Sequence, residues 1–251
     1  MIVGIVGVGA VGGTLAKWFE ENTSHEVRLY DPPKGHLDFL NDCEAIFISV
    51  PVPDSENGQD QEILEKSVKL ALQYTNKVFI RSTVLPNTND RLGTISMPEF
   101  LTEKTAYQDM SQYPILCGGK NKYEFNELNE FLGRIFPNKQ IILMSNVEAE
   151  LAKLAHNCFG AFKVTFFNMI YQIAKENGAN YENVRKGFSI TGFIEKQHTN
   201  IAPDGNFGYG GKCFPTNVKA MIGWLGLKKA EQLFFRVVDQ LNNKYRHKVE
   251  F

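Results

Sequence analysis

The first 31 residues constrain the fold most, because they combine a short apolar strand, a glycine motif and an acid in a fixed order. Gly7, Gly9 and Gly12 follow the strand with the spacing G-x-G-x-x-G, and a second strand, after a helical segment, ends at Asp31. Such glycines permit a tight turn and let a pyrophosphate reach the helix N-terminus, while the acid binds ribose hydroxyls. The order predicts a Rossmann dinucleotide site. Its residues are Gly7, Gly9, Ala10, Val11, Gly12 and Asp31.

We expect the dinucleotide to be NAD. The carboxylate of Asp31 would accept hydrogen bonds from the ribose hydroxyls and would repel the 2′-phosphate of NADP. Arg28 and Lys34 lie nearby in the sequence and weaken this preference.

Apolar strands alternate with helical segments as far as about residue 144. The pattern predicts strands at residues 45–50, 77–81, 94–96 and 114–117, a short helix around 36–40 and a polar loop at 54–60. Near-continuous apolar strands of this kind imply a parallel sheet that is covered on both faces. The fold class is therefore α/β, with an N-terminal Rossmann NAD-binding domain at residues 1–144. Further cofactor-binding residues are expected after two of the strands, at Val50, Pro51, Ser82 and Thr83.

The pattern changes at residue 145. Ser145 and Glu148 have the spacing of a capping box, and apolar residues then recur at helical spacing as far as Gly178. The sequence predicts one helix over residues 146–177, far longer than the average helix. Its phenylalanines cover more than one face, so we expect a homodimer built on this helix. Shorter helices are predicted at residues 181–188, 217–225 and 229–247, which makes residues 145–251 a helical domain.

Cys213 lies at the end of a glycine-rich stretch, residues 206–211. Glycines let the backbone come close to a ligand, and a lone thiol on such a loop is a candidate covalent nucleophile. The alternative is a buried cysteine that acts as a small apolar residue.

Composition excludes several classes of function. The formal net charge of -1 offers no electrostatic footprint for nucleic acid or an anionic membrane. The first predicted strand begins at residue 2, so we expect no leader, and no apolar run is long enough to cross a bilayer. The four cysteines lack the spacing of a zinc site. We expect a cytoplasmic protein with reduced thiols and no metal.

Five motifs in order resemble the UDP-glucose/GDP-mannose dehydrogenase family. They are the glycine motif, STVLP at residues 82–86, PEFL at 98–101, ELAKLAHN at 150–157 and FGYGGKC at 207–213. Members oxidise the C6 alcohol of a nucleotide sugar to a carboxylate with two NAD. The resemblance implies that this chain is an NAD-dependent enzyme of that kind, with a nucleotide sugar or sugar as its substrate.

The resemblance also implies roles for single residues. Cys213 is the nucleophile, Lys153 and Asn157 stabilise the oxyanion, and Thr83 orders a catalytic water. Glu99 and Glu103 flank the hydrolytic water. Simpler alternatives remain open for each: a Lys153–Glu150 pair on a solvated face, first-turn acids after Pro98, and a capping threonine.

The chain departs from the family pattern in three ways, and two of them, Asn217 and the expected absence of a domain, favour other functions. The aspartate that the family places near the reacting alcohol is Asn217, which cannot take up a proton. Lys212 replaces a small or polar residue. Residues 245–251 resemble a connecting helix, so a C-terminal nucleotide-binding domain is expected to be absent. A catalytically impaired NAD-binding remnant or partner subunit is the first alternative, and a β-hydroxyacid dehydrogenase, which needs no cysteine, is the second.

Overall fold

The computed structural model describes residues 1–120, 125–192, 194, 198–202, 204–226 and 229–247. The chain forms two compact units. The first comprises residues 1–53 and 59–154, and the second comprises residues 54–58 and 155–251.

Most strands belong to the first unit. In chain order the strands are β1 (Ile2–Val6), β2 (Glu26–Asp31), β3 (His36–Leu37), β4 (Ala45–Ile48), β5 (Asp54–Ser55), β6 (Gly58–Gln59), β7 (Val78–Ile80), β8 (Ile95–Ser96), β9 (Ile115–Cys117) and β10 (Ile141–Leu143). Six of them form a sheet in the order β3-β2-β1-β4-β7-β8, parallel except for β3. Strands β9 and β10 form a separate parallel pair.

The helices of the first unit cover this sheet. They are α1 (Ala10–Asn22), α2 (Glu62–Ala71), α3 (Thr88–Leu92), α4 (Ala106–Gln112), α5 (Phe125–Ile135) and the first turns of α6 (Asn146–Glu176). Alternate strand residues point to opposite faces: Val3 and Ile5 pack with α1 and α5, and Ile46 and Ile48 pack with α2. The predicted α/β fold with a parallel sheet is confirmed. Helices α3, α4 and α5 and strand β10 were not predicted.

Two predicted connections are wrong. The short helix around residues 36–40 is instead strand β3, which returns antiparallel to β2. A 3-10 turn at Pro32–Lys34 and a left-handed Gly35 (φ 80°) reverse the chain at once, which leaves no room for a helix. The polar loop at residues 54–60 contains a small hairpin of β5 and β6 with its turn at residues 56–57.

Apart from this hairpin, the regular secondary structure in the described part of the second unit is helical. It contains the greater part of α6, followed by α7 (Tyr181–Phe188), α8 (Cys213–Leu225) and α9 (Ala230–Arg246). The capping box at the start of α6 is confirmed, since Glu148 Oε2 accepts hydrogen bonds from both N and Oγ of Ser145 at 2.7 Å. The helix ends before Gly178, whose φ of 68° is left-handed. Helix α8 begins at Cys213, four residues earlier than predicted.

Candidate active site

The turn between β1 and α1 has the form that a dinucleotide requires. Gly7 has a φ of 88°, and a Cβ on Gly12 would lie 2.0 Å from the carbonyl oxygen of Gly7, so neither position tolerates a side chain. Gly9 faces open space, where only Lys34 Nζ comes within 4.0 Å of a Cβ position. No side chain caps α1 and no acid lies in its first turn, so its N-terminal amides and positive dipole end can accept an anion.

Asp31 braces this turn from the end of β2. Its Oδ2 accepts a hydrogen bond from the Val8 amide at 2.8 Å, and Lys34 Nζ donates to the Val8 carbonyl at 2.8 Å. Arg28 points elsewhere, because it donates to Glu26 Oε1 and to the carbonyls of Phe39 and Asn41. Arg28 and Lys34 therefore both contact protein atoms, and neither side chain is held free for the 2′-phosphate of NADP.

The sheet reverses its winding beside this turn. The chain runs from β1 to β2 on one side and places β4 and β7 on the other, so the carboxyl ends of β1 and β4 flank a topological switch point, where α/β proteins bind ligands. Ser82 Oγ donates to the Val50 carbonyl at 2.6 Å and ties the ends of β4 and β7 together. Pro51 and Thr83 continue the same two loops. Gln59, which was not predicted, holds the Thr83 carbonyl at 3.0 Å and the Leu85 amide at 3.0 Å.

Lys153 and Glu99 form a buried ion pair in the first unit. Lys153 Nζ lies 3.5 Å from Glu99 Oε1, and the two side chains are only 4% and 10% exposed. Glu99 Oε2 accepts a hydrogen bond from the Leu101 amide at 2.6 Å, and the Lys153 ammonium lies 5.0 Å above the ring of Phe100. The pair thus has defined geometry and little water around it.

The simpler interpretation of Lys153 does not fit these contacts. Glu150 is itself buried, and its carboxylate accepts hydrogen bonds from the Asn87 amide (2.7 Å), the Asn89 amide (2.8 Å) and Asn89 Nδ2 (2.8 Å). Burial raises the pKa of Glu150, and these hydrogen bonds oppose that rise. Glu150 therefore fixes the first turns of α6 to the loop after Thr83.

Glu103 lies in the same segment as Glu99 but is exposed. Residues 98–105 are not helical, so a spacing of four does not place Glu99 and Glu103 on one helix face. First-turn acids after Pro98 are excluded for the same reason.

Arg81 is a buried cation that sequence reasoning missed. It directly follows β7, is 3% exposed, and lines a cavity of about 20 Å³ together with Glu99, Asp109, Met110 and Tyr113. Burial lowers its pKa to about 10, while the charge of Glu99 acts in the opposite direction. From the sequence, an arginine at a strand end is expected at the surface, and no local pattern predicts that Arg81 is buried.

Cys213 is the first residue of α8 and is exposed, whereas Cys43, Cys117 and Cys158 are buried. No acid lies in the first turn of α8 and no side chain caps it. A helix N-terminus favours the thiolate form of such a cysteine. The neighbouring Phe214 packs against α6 so closely that a Cβ on Gly160 would lie 2.4 Å from its ring.

Polar side chains hydrogen-bond the backbone of the glycine loop before Cys213. Asn242 accepts from the Tyr209 amide at 2.7 Å and donates to the Tyr209 carbonyl at 3.1 Å, while Asn168 Oδ1 accepts from the Gly208 amide at 3.1 Å. A Cβ on Gly210 would collide with the Asp204–Arg246 ion pair at 2.5 and 2.6 Å. The loop is therefore fixed in shape.

Two buried asparagine side chains of the second unit each have one polar atom without a hydrogen-bond partner in the described part of the chain. Asn157 Nδ2 and Asn217 Oδ1 have no hydrogen-bond partner among the described residues. The other amide atoms are used: His156 Nδ1 lies 3.2 Å from Asn157 Oδ1, and Asn217 Nδ2 donates to the Cys213 carbonyl at 2.7 Å. An unmet buried polar atom is costly, which makes each of them a candidate ligand contact.

Comparison with known proteins shows which family this chain resembles. The central domain of the UDP-glucose/GDP-mannose dehydrogenase family matches residues 147–244. The UDP-glucose 6-dehydrogenase of Rickettsia felis is 30% identical over 204 residues, which cover 72% of this chain and 44% of that protein. Residues 147–244 belong to the UDP-glucose/GDP-mannose dehydrogenase family. The chain spans about half the length of the curated relatives it matches, with 50% covered for the Rickettsia bellii UDP-glucose 6-dehydrogenase.

Solved structures of such dehydrogenases agree with this chain in fold. A UDP-glucose dehydrogenase from Pyrobaculum islandicum has a TM-score of 0.79 at 22% identity, covering 96% of this chain and 68% of that one. A UDP-D-ManNAc dehydrogenase from Pyrococcus horikoshii has a TM-score of 0.81 at 20% identity, covering 98% and 69%. In the part of the chain that the structure describes, no helix is long and apolar enough to cross a membrane.

Proposed function

We propose that this chain is an NAD-dependent dehydrogenase that oxidises the C6 alcohol of a nucleotide sugar or sugar to a carboxylate through Cys213. The observation that carries the proposal is the exposed Cys213 thiol at the N-terminus of α8, which follows a glycine loop of fixed shape. Residues 1–144 bind NAD and residues 145–251 carry the nucleophile.

Residues of the β1–α1 turn fit NAD because the glycines leave the α1 N-terminus open to a pyrophosphate. Asp31, Val50, Pro51, Ser82 and Thr83 lie at carboxyl ends of neighbouring strands, where the rest of the cofactor would bind. NAD supplies the acceptor for the two hydrides that such a substrate releases.

The chain's own residues would act as follows. The substrate hydroxyl loses its proton and its carbon loses a hydride, which gives an aldehyde. The Cys213 thiolate then forms a bond from sulfur to the carbonyl carbon. Loss of the second hydride converts this thiohemiacetal to a thioester, and attack by water releases the carboxylate and the thiol.

Lys153 and Asn157 lie one turn apart on α6 and would stabilise the oxyanion. The unmet Nδ2 of Asn157 supports this role, since it is a donor without a protein partner. Glu99 would act on the attacking water that the Thr83 hydroxyl orders, with Glu103 beside it. The Thr83 hydroxyl makes no hydrogen bond to a described residue, so it has capacity for a water.

A homodimer through residues 146–177 completes the proposal. Phe159 on α6 and Phe234 on α9 are 62% and 50% exposed and belong to a chain of ring contacts that includes Phe162 and Phe166. Exposed aromatic surface of this extent is typical of an interface. Four cysteines without a disulfide fit a reducing compartment such as the cytoplasm.

The test is NADH production with a panel of nucleotide sugars and of free and phosphorylated sugars. We expect two NADH per substrate, loss of the carboxylate product in Cys213→Ala, and full activity in the matched control Cys43→Ala. The alternative of an impaired NAD-binding remnant is favoured by Asn217, and it would replace the proposal if NAD binds but no sugar is turned over. Turnover of a small hydroxy acid that survives Cys213→Ala would identify a β-hydroxyacid dehydrogenase.

A further inference from the structure

Arg81 is a charged side chain whose burial the proposed chemistry does not explain. Its backbone amide donates to the Ile48 carbonyl at 2.8 Å and so extends the β4–β7 ladder by one residue. Among the described residues, the guanidinium has one polar contact, Nη2 to Met110 Sδ at 4.0 Å, and Nε has none. A thioether is a weak acceptor, so this buried cation is nearly unsatisfied by protein.

Two carboxylates line the cavity that Arg81 faces, Glu99 and Asp109. Asp109 Oδ2 is used locally, because it accepts from the Thr102 amide at 2.7 Å and from Thr105 Oγ1 at 2.9 Å. Glu99 lines the same cavity as Arg81, and its charge opposes the effect of burial on the pKa of Arg81.

The size of the cavity fits one water. About 20 Å³ exceeds the 10–15 Å³ or so that a water needs, and polar groups of Arg81, Glu99 and Asp109 are on its wall. A water there would hydrogen-bond the guanidinium and a carboxylate that it does not touch directly. Lys153 would then contact one oxygen of the Glu99 carboxylate and the Leu101 amide the other, while Arg81 would reach the carboxylate through the water.

We propose that Arg81 is a positioning residue for Glu99, acting through a water in this cavity to hold the Glu99 carboxylate in place. Arg81 touches no substrate in this scheme. This inference deepens the proposed function. It rests on that function only for the catalytic role of Glu99, not for the contact between Arg81 and Glu99.

A double-mutant cycle on unfolding tests the contact without any activity. In wild type, Glu99→Gln leaves Arg81 and Lys153 without their carboxylate, so we expect a large fall in the urea midpoint. In an Arg81→Met background the same change should cost clearly less, because one of the two cations is gone. Glu103→Gln is the matched control and should cost the same in both backgrounds, since Glu103 is exposed in the same segment. An equal cost for Glu99→Gln in both backgrounds would overturn the proposal.

A spectroscopic comparison separates positioning from mere packing. With ¹³C-labelled glutamate, the Glu99 carboxyl signal, assigned by its loss in Glu99→Gln, should change its chemical shift in Arg81→Met at a fixed neutral pH. Arg81→Lys should restore most of the wild-type chemical shift, whereas the signal of the exposed Glu103 should not move. An unchanged Glu99 signal would refute the role of Arg81, whereas a chain with no turnover on any sugar would refute the proposed function and leave both of these measurements decisive.

Discussion

Cys213 should be the fast-reacting thiol of the chain, by a factor that the structure allows us to work out. Burial raises the pKa of Cys43 to about 11 and that of Cys158 to about 12, and it raises the pKa of Cys117 strongly as well. At pH 8 their thiolate fractions are therefore about 10⁻³ or lower, whereas an ordinary exposed thiol is about one quarter ionised. The ratio is about 200, before the poor access of reagent to the buried thiols is considered. The N-terminus of α8 should increase it.

The assay is a time course of iodoacetamide labelling at pH 8, followed by peptide mass spectrometry. We expect one equivalent of label at Cys213 before the other three react, and only slow labelling in Cys213→Ser. All four thiols should react at similar rates in denaturant, which controls for peptide detection. Labelling of Cys43 or Cys117 ahead of Cys213 would refute the reasoning.

Four further outcomes follow from the structure. Calorimetry should show NAD binding more tightly than NADP because of the charge of Asp31, and equal affinities would contradict this. Light scattering should give a dimer at micromolar concentration and a monomer for Phe159→Asp; a wild-type monomer would exclude the interface. Asn217→Asp should raise turnover if the family chemistry persists, whereas no rise in an active chain would show that the proton leaves by another route. Gly160→Ala should lose about 1–3 kcal/mol to overpacking against the neighbouring ring, while Gly133→Ala, with nothing within 4 Å, should gain up to about 1 kcal/mol in a urea titration.

Local patterns made the sheet and the long helix predictable. The β1–α1 turn, the capping box at Ser145 and the stop at Gly178 each depend on residues a few positions apart. Strand β3 was missed because two prolines and Gly35 reverse the chain sooner than an average connection would. In that case turn chemistry decided the structure, and apolar periodicity carried no information.

Partners that are distant in sequence could not be predicted. Asn242 holds Tyr209 from 33 residues away, and Glu150 reaches Asn89 from 61 residues away. The burial of Arg81 depends in the same way on α4 and on the segment around Glu99, whose packing only the assembled unit defines. A single sequence shows which residues can do chemistry, whereas the side chains that orient them become visible through long-range contacts.

Asn217 determines how the proposed chemistry must differ from a site with a carboxylate at that position. Its amide nitrogen is committed to the first turn of its own helix, and its unmet Oδ1 can accept a hydrogen bond from a hydroxyl but cannot take up the proton. The proton of the substrate alcohol must therefore pass to a water, or to Lys153 once that ammonium has given its own proton to Glu99, whose Oε1 lies 3.5 Å from Nζ. Arg81, which we propose positions the Glu99 carboxylate, would therefore affect both the first proton transfer and the attack of water on the thioester.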